Sequence, residues 1–548
     1  MKKILCTFAF FIFALYLLAD DHVYLIENDS IYDTFTSQIK SGFIKIGHGD
    51  RILFKSGEKF TGQLFAENQS GTPDNPIVID SYSLDASGNV VAGKEDKPVI
   101  SHQPPEKSAD SGYRALFFKN SQCIEIRNLI IENSGGGVSF LFINGVDFNH
   151  IYVENCEMSN ITGTAVMVAN PGPDWNKSYK ISKGSDVIIK NNIIKNCGNL
   201  GIYVYQGWNG EFTSWEENNK YIAYWFSNVV LSGNRITDIT NNGIILWGAS
   251  SPLIEKNYVK HPGKGSISDA KRKGWGQGIF VSFTLKAVIQ YNEVCDNEYT
   301  FYTDTNKGDG DAGGIGIDYF SYDTLCQNNY LHDNAQNGIA VMANYSPDAQ
   351  NKEIQNPRPV KRAVIRDNVC INNSKMPDLF KEGTGQYAEA QNDPDYPEGH
   401  IISKDMTDGE SAYDFWRSRC GEIRISGPAD DCEIYNNVFI SSDNAFQMIS
   451  EGSWWGYPQD IIWTNNIFYS VNNPAIKLSY LGGGNRFENN RFNFELKDQN
   501  WMKGITDWHP KKASLLKDTE LYSTDKLEIK KDSKGTEKWI SPKPVLIK

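Results

Sequence analysis

Four aspartates fall in one short stretch and its continuation. They are Asp304, Asp309 and Asp311 in Asp304-Thr305-Asn306-Lys307-Gly308-Asp309-Gly310-Asp311, and Asp318 at the end of Gly314-Ile315-Gly316-Ile317-Asp318. Carboxyls held close together repel, so one can keep its proton beside an ionised neighbour near neutral pH. Cleavage of a glycosidic bond by the two-carboxyl route needs such a pair, one protonated and one ionised. Asp311 and Asp318 are the expected pair, with Asp309 or Asp304 as a third acid that polarises or orients; which is the proton donor stays open. Two other readings stand beside this one. Gly-Asp-Gly-Asp is also a plain polar turn, since both residue types favour turns. An oxygen-rich loop at Asp304, Asp309 and Asp311 also suits calcium, although the spacing is not that of an EF-hand. No other cofactor is expected.

Asp318 ends one of a series of similar runs, and the series tells where it points. The runs include Gly201-Ile202-Tyr203-Val204-Tyr205, Gly243-Ile244-Ile245-Leu246-Trp247, Gly278-Ile279-Phe280-Val281-Ser282 and Gly338-Ile339-Ala340-Val341-Met342. Glu422-Ile423-Arg424-Ile425-Ser426 and Ala475-Ile476-Lys477-Leu478-Ser479 fit the same frame. Strand alternation sends the middle Ile, Leu and Val inward and their neighbours outward. One outward column then reads Tyr203, Ile245, Phe280, Gly316, Ala340, Arg424, Lys477, and the other Tyr205, Trp247, Ser282, Asp318, Met342, Ser426, Ser479. Tyr203, Tyr205, Trp247 and Phe280 are candidates for binding sugar rings, whose C–H faces pack on aromatic planes; packing beneath a loop is the other, less favoured reading of outward aromatics. Arg424 and Lys477 could hold a carboxylate or sulfate, or be solvated charges. His332 is better explained by a corner hydrogen bond than by catalysis.

A second repeat supplies the frame. Asn recurs at 192, 234, 257, 292, 329, 368, 437, 466 and 490, each with an apolar residue or Cys two places on, and the shortest gaps are 23 and 24 residues. That length suits one coil of a parallel β-solenoid, in which like residues stack at one corner and each amide donates to the next. Asn128-Leu129-x-Ile131 and Asn155-Cys156-x-Met158 give earlier coils with an apolar corner. Ser30 to Lys40 is expected to form a short amphipathic helix capping the open end, where exposed strand edges would otherwise recruit other strands. Long excursions separate the coils, among them 206–227, 262–276, 300–313 and 374–421. Loops of that length in a compact fold usually carry function.

The chain has 548 residues and a formal net charge of −13. A single globular core rarely grows that large, but a solenoid core extends along its axis. The negative charge disfavours nucleic acid as a partner. Lys2, Lys3 and the apolar run Ile4 to Leu18 have the outline of an export signal, so residues 1–19 are expected to be removed and the mature chain to be secreted, periplasmic or at the cell surface, with no remaining membrane span. No CxxC pair occurs among the nine cysteines, and those in the coil register are expected to pack as small hydrophobes.

The β-type runs Gly49 to Gly57, Phe60-Thr61-Gly62, Ser70 to Ile79 and Lys97-Pro98-Val99-Ile100, together with the asparagine corners, resemble the secreted right-handed β-helix proteins of the pectate-lyase-like superfamily. Within it, the chain is similar to family 141 of the glycoside hydrolases and its relatives. The resemblance covers roughly residues 23–494. It implies an all-β, right-handed parallel β-helix over 20–494 with an N-terminal cap and long loop insertions, followed by an irregular lysine-rich extension over 495–548. It also implies a monomeric, carbohydrate-active enzyme on a polysaccharide or oligosaccharide. A glycoside hydrolase is the first expectation. A polysaccharide lyase on a uronate-containing glycan is the alternative that Arg424 and Lys477 keep open, and a non-catalytic glycan-binding solenoid is the third.

Overall fold

The computed structural model describes residues 22–93, 96–104, 112–173, 175–207, 224–263, 276–297, 312–347, 355–373, 421–426, 428–441, 449–452, 458–470, 477–478, 485–492 and four short strands between 505 and 538. The chain winds as a ribbon of parallel strands whose inward side chains form one continuous hydrophobic core. Each coil contributes three strands. Those of the first stack include Val166–Asn170, Ile202–Gln206, Ile244–Ser250, Ile279–Leu285, Ile315–Asp318, Asn337–Met342 and Gly421–Ser426. The second stack runs through Phe148–Glu154, Gly184–Lys190 and Phe226–Ser232, and the third through Ile193–Cys197, Arg235–Ile239, Tyr258–Pro262, Glu293–Cys295, Tyr330–His332 and Val369–Ile371. Ile202, Val204, Ile244, Leu246, Ile279, Val281, Ile315, Ile317, Ile339 and Val341 are wholly buried, as the alternation of the Gly-Ile runs requires.

The corner between second and third stacks explains why one residue type recurs. All nine asparagines of the repeat are buried. At each rung from Asn192 to Asn466, the backbone N–H and the side-chain Nδ2 both donate to the Oδ1 of the next asparagine at 2.9–3.1 Å. Nδ2 donates besides to a main-chain carbonyl of an earlier coil, as from Asn234 to Ile189 at 2.9 Å. The ladder starts at Cys156, whose N–H donates to Asn192 Oδ1 at 3.0 Å, so Cys156 and Leu129 hold the apolar end of the corner. The residue ahead of each rung is in the left-handed region, for example Asn191, Gly233, Asn328 and Asn465 with φ between 53° and 66°. Asn, Asp and Gly tolerate that region best, which accounts for the Asn-Asn pairs in the sequence.

The cap forms as expected. Helix α1 spans Asp29–Lys40, Asn28 Oδ1 accepts the Ile31 N–H at 3.1 Å, and Tyr32, Phe35 and Ile39 face the core. One strand of the first stack escaped the sequence frame. Ile449–Gly452 pairs with Gly421–Ser426 on one side and with Lys477–Leu478 on the other, so Lys477 lies two coils beyond Arg424. It starts at Met448-Ile449 and lacks the Gly-Ile opening of the earlier coils. Parallel pairing continues past residue 494, where Ile505–Trp508 joins Asn485–Glu488. The cysteines of the described residues are free and buried, with Cys156, Cys197, Cys326, Cys370 and Cys432 in the core.

Candidate functional site

The outer face of the first stack assembles most of the residues singled out above. Register places Met167, Tyr203, Ile245, Phe280, Gly316, Ala340 and Arg424 in one column, continued by Ser450 and Lys477. Ala169, Tyr205, Trp247 and Ser282 head the other, and Asp318, Met342 and Ser426 carry it on. Both expected columns therefore exist. What differs is their exposure.

The aromatics do not stand bare. Tyr205 and Phe280 are buried, and Tyr203 and Trp247 are half-buried. Trp175 stacks on Tyr205 with centroids 5.3 Å apart, Trp247 stacks on Phe283 at 4.8 Å, and Tyr319 meets Trp247 edge-on at 5.9 Å. Trp225, Phe283, Phe320 and Tyr322 form a further apolar cluster against Trp247. Loop and strand-end aromatics thus roof the strand aromatics, because a flat ring on a sheet buries more surface under a second ring than under water.

Asp318 also departs from expectation. Its column is right, but it is only 4% exposed rather than open to solvent. Its Oδ1 accepts the Tyr319 N–H at 2.7 Å. Arg424 is equally buried on the same face. Asp304, Asp309 and Asp311, and with them the calcium reading, lie outside the described residues, as does the Lys477 side chain. The excursion carrying those acids returns to the ribbon at buried Ala312, whose N–H donates to Gln336 Oε1 at 3.2 Å directly ahead of the Asp318 strand.

Between Phe280 and Ala340 the column drops to Gly316, and Gln277 fills the dip. A Cβ on Gly316 would lie 2.3 Å from Gln277 Oε1, so only glycine admits this amide. Gln277 is 1% exposed and its Oε1 has no hydrogen-bond partner among the described residues. A buried acceptor left unpaired is costly, and a donor supplied by a ligand would satisfy it.

Sequence reading missed a second amide stack at the corner between third and first stacks. Asn334 Nδ2 donates to Asn373 Oδ1 at 2.7 Å, and Asn373 donates through N–H and Nδ2 to the two oxygens of Glu422 at 3.0 and 2.6 Å. Burial holds the Glu422 carboxyl well above its usual range, against the Asn373 hydrogen bonds that lower it. The available signal was an asparagine five places after a ladder asparagine, at Asn297, Asn334 and Asn373. His332 was misread as well. It makes no corner bond, but lies on the outer face of the third stack with Asp333 and Glu293 as partners. Burial opposes its charge, while hydrogen bonds to Asp333, Cys295 and Glu293 push the imidazole up to about 12. A comparable group on the second stack sets His150 between Glu125 at 2.9 Å and Asp186 at 3.1 Å, with the Tyr152 hydroxyl donating to Asp186.

The sequence profile of the right-handed beta helix region matches residues 85–223 and 226–374, more than half of the chain. The chain belongs to the right-handed β-helix family. No curated protein sequence matches it. Among solved structures, this β-helix is similar to the GH136 lacto-N-biosidase from Eubacterium ramulus, with 16% identity over 82% of this chain and 68% of that one and a TM-score of 0.50. It is also similar to an alginate lyase from Paenibacillus, with 18% identity over 64% of this chain and 95% of that one and a TM-score of 0.40. At these identities the likeness is one of fold. Among the described residues of the β-helix, no helix is long and apolar enough to cross a membrane.

Proposed function

We propose that this β-helix is an exported, monomeric glycoside hydrolase that binds a polysaccharide or oligosaccharide along the outer face of its first stack, with Asp318 as one of its two catalytic carboxyls. The observation that carries this reading is the place of Asp318. It follows Tyr205, Trp247 and Ser282 in one column, and the aspartate-bearing excursion rejoins the ribbon just ahead of its strand. The second carboxyl comes from that excursion, Asp311 before Asp309 or Asp304. Tyr203 and Trp247 offer ring faces, and the unpaired Gln277 Oε1 accepts a sugar hydroxyl beside Gly316. Lys2, Lys3 and the apolar run after them support export.

Arg424 favours a second reading. A buried guanidinium on the same face can neutralise a uronate carboxylate, the first requirement of a lyase, for which calcium at Asp304, Asp309 and Asp311 would serve as the further cation. Incubating the purified protein with a glycan panel separates the two. Hydrolysis releases reducing ends with no new near-ultraviolet absorbance, and Asp318→Asn stops it. Unsaturated products that absorb there favour the lyase, and turnover that survives Asp318→Asn removes Asp318 from either mechanism.

A further inference from the structure

On the outer face of the third stack, away from the proposed glycan face, Glu293, Cys295 and His332 turn one donor atom each toward a common point, all within 4.8 Å of one another. Cys295 and His332 are direct register partners on adjacent coils, and Glu293 is paired with Tyr330 in the same ladder. His332 Nδ1–H donates to Asp333 Oδ2 at 2.7 Å, which leaves Nε2 facing Glu293 Oε1 at 3.4 Å. Asp333 is itself fixed by Asn372 Nδ2, and Tyr330 stacks on the imidazole with centroids 4.3 Å apart. Cys295 hydrogen-bonds to His332 and receives the Tyr258 phenol from the preceding coil. The cations nearby are engaged elsewhere: Lys260 pairs with Asp296 at 3.4 Å, and Arg235 lies over the Tyr258 ring.

We infer that Glu293, Cys295 and His332 form a zinc site that clips two coils of the β-helix together. Donor type decides the metal. Thiolate with imidazole and one carboxylate suits Zn²⁺, and the sulfur excludes calcium and magnesium as preferred occupants. Donors on a tetrahedral zinc lie about 3.3–3.8 Å apart, so the His332–Glu293 separation already fits and a small side-chain rotation closes the rest. The carboxylate on Nδ1 is the outer-shell partner that metal-binding histidines nearly always have; it orients the ring and fixes which nitrogen is free. Binding replaces the Cys295 thiol proton and any proton on His332 Nε2, both released to solvent, and the Tyr258 phenol keeps its hydrogen bond to the Cys295 sulfur. A periodic β-helix gains from such a clip, because each coil is otherwise held only by its neighbours.

The test uses the metal-stripped full chain and needs no glycan, so it stands apart from the function proposed above. Titration with Co²⁺ should give one ion per chain, with the visible bands of a tetrahedral site and a sulfur-to-cobalt charge-transfer band that Zn²⁺ abolishes. Cys295→Ser should lose the charge-transfer band, and Asp333→Asn should weaken Zn²⁺ binding about tenfold while keeping it. Zinc should raise the thermal midpoint of the wild-type chain and leave that of His332→Ala unchanged. A wild-type chain that shows no charge-transfer band and no stoichiometric Zn²⁺ uptake overturns the inference. So does a folded Cys295→Ser/His332→Ala chain that takes up zinc as the wild type does.

Discussion

The first and third stacks are cut from one repeat, yet their outer faces carry opposite chemistry. On the first, rings pack against rings over the coils of Tyr205, Trp247 and Phe280, and Asp318 and Arg424 are buried farther along the same face. On the third, two short paired strands bring an acid, a thiol and an imidazole to one point. The inward residues of the two stacks are alike, mostly aliphatic with a few Phe and Cys. A solenoid therefore separates its tasks by face: stability comes from inward and corner positions, and chemistry from the outward ones, which the core leaves free to vary.

Breaking one face should leave the other intact. Asp318→Asn should lower kcat on the responsive glycan by at least about a hundredfold, the usual scale for a lost acid or base, without changing Co²⁺ uptake at Cys295. A kinetic assay and a cobalt titration of the same preparation check both halves. The corner, by contrast, belongs to both faces. Asn329 makes and receives bonds with Ile289, Asn292 and Asn368, so Asn329→Ala should cost about 2–4 kcal/mol in urea unfolding and loosen the coils on either side.

The other corner ends on a carboxyl instead of an amide, which gives a pH test. The folded pKa of Glu422 is raised above its unfolded value, so its contribution to stability is complete below about pH 4.5 and is lost as the pH climbs through the folded value. Glu422→Gln, whose single oxygen can take both Asn373 donors as every Asn rung does, should melt like the wild type in acid and above it near neutral pH. Thermal melts across that range decide it. The smallest effect is expected at the aromatic roof: Trp247→Ala should weaken glycan binding by about 1 kcal/mol, roughly fivefold, in a calorimetric titration.

Much of this was legible in residue order. The asparagine corner, the Gly-Ile strand and the α1 cap each leave a local mark, since the physics behind them acts within a few residues. The strand Ile449–Gly452 left no such mark and was missed, which misplaced Lys477 by one coil. An open groove is the reading residue order favours at Tyr205 and Trp247, and the roof over them escapes it because Trp175 and Phe283 reach them from other parts of the ribbon. The Asn297, Asn334 and Asn373 stack had its signal, the fifth place after a ladder rung, but a corner of three asparagines stands out less than one of nine.

Order along the chain determined the coil, its corner chemistry, the direction of each strand residue and the capped start, because those depend on repeats that recur at short range. The tertiary structure alone decided which outward residues became neighbours. Coils here advance by anything from 23 residues, between Asn234 and Asn257, to 69, between Asn368 and Asn437. Contacts across coils therefore join residues whose separation no fixed period predicts. Glu293 meets His332, and Trp247 meets Tyr319, only because the intervening loops close where the core lets them.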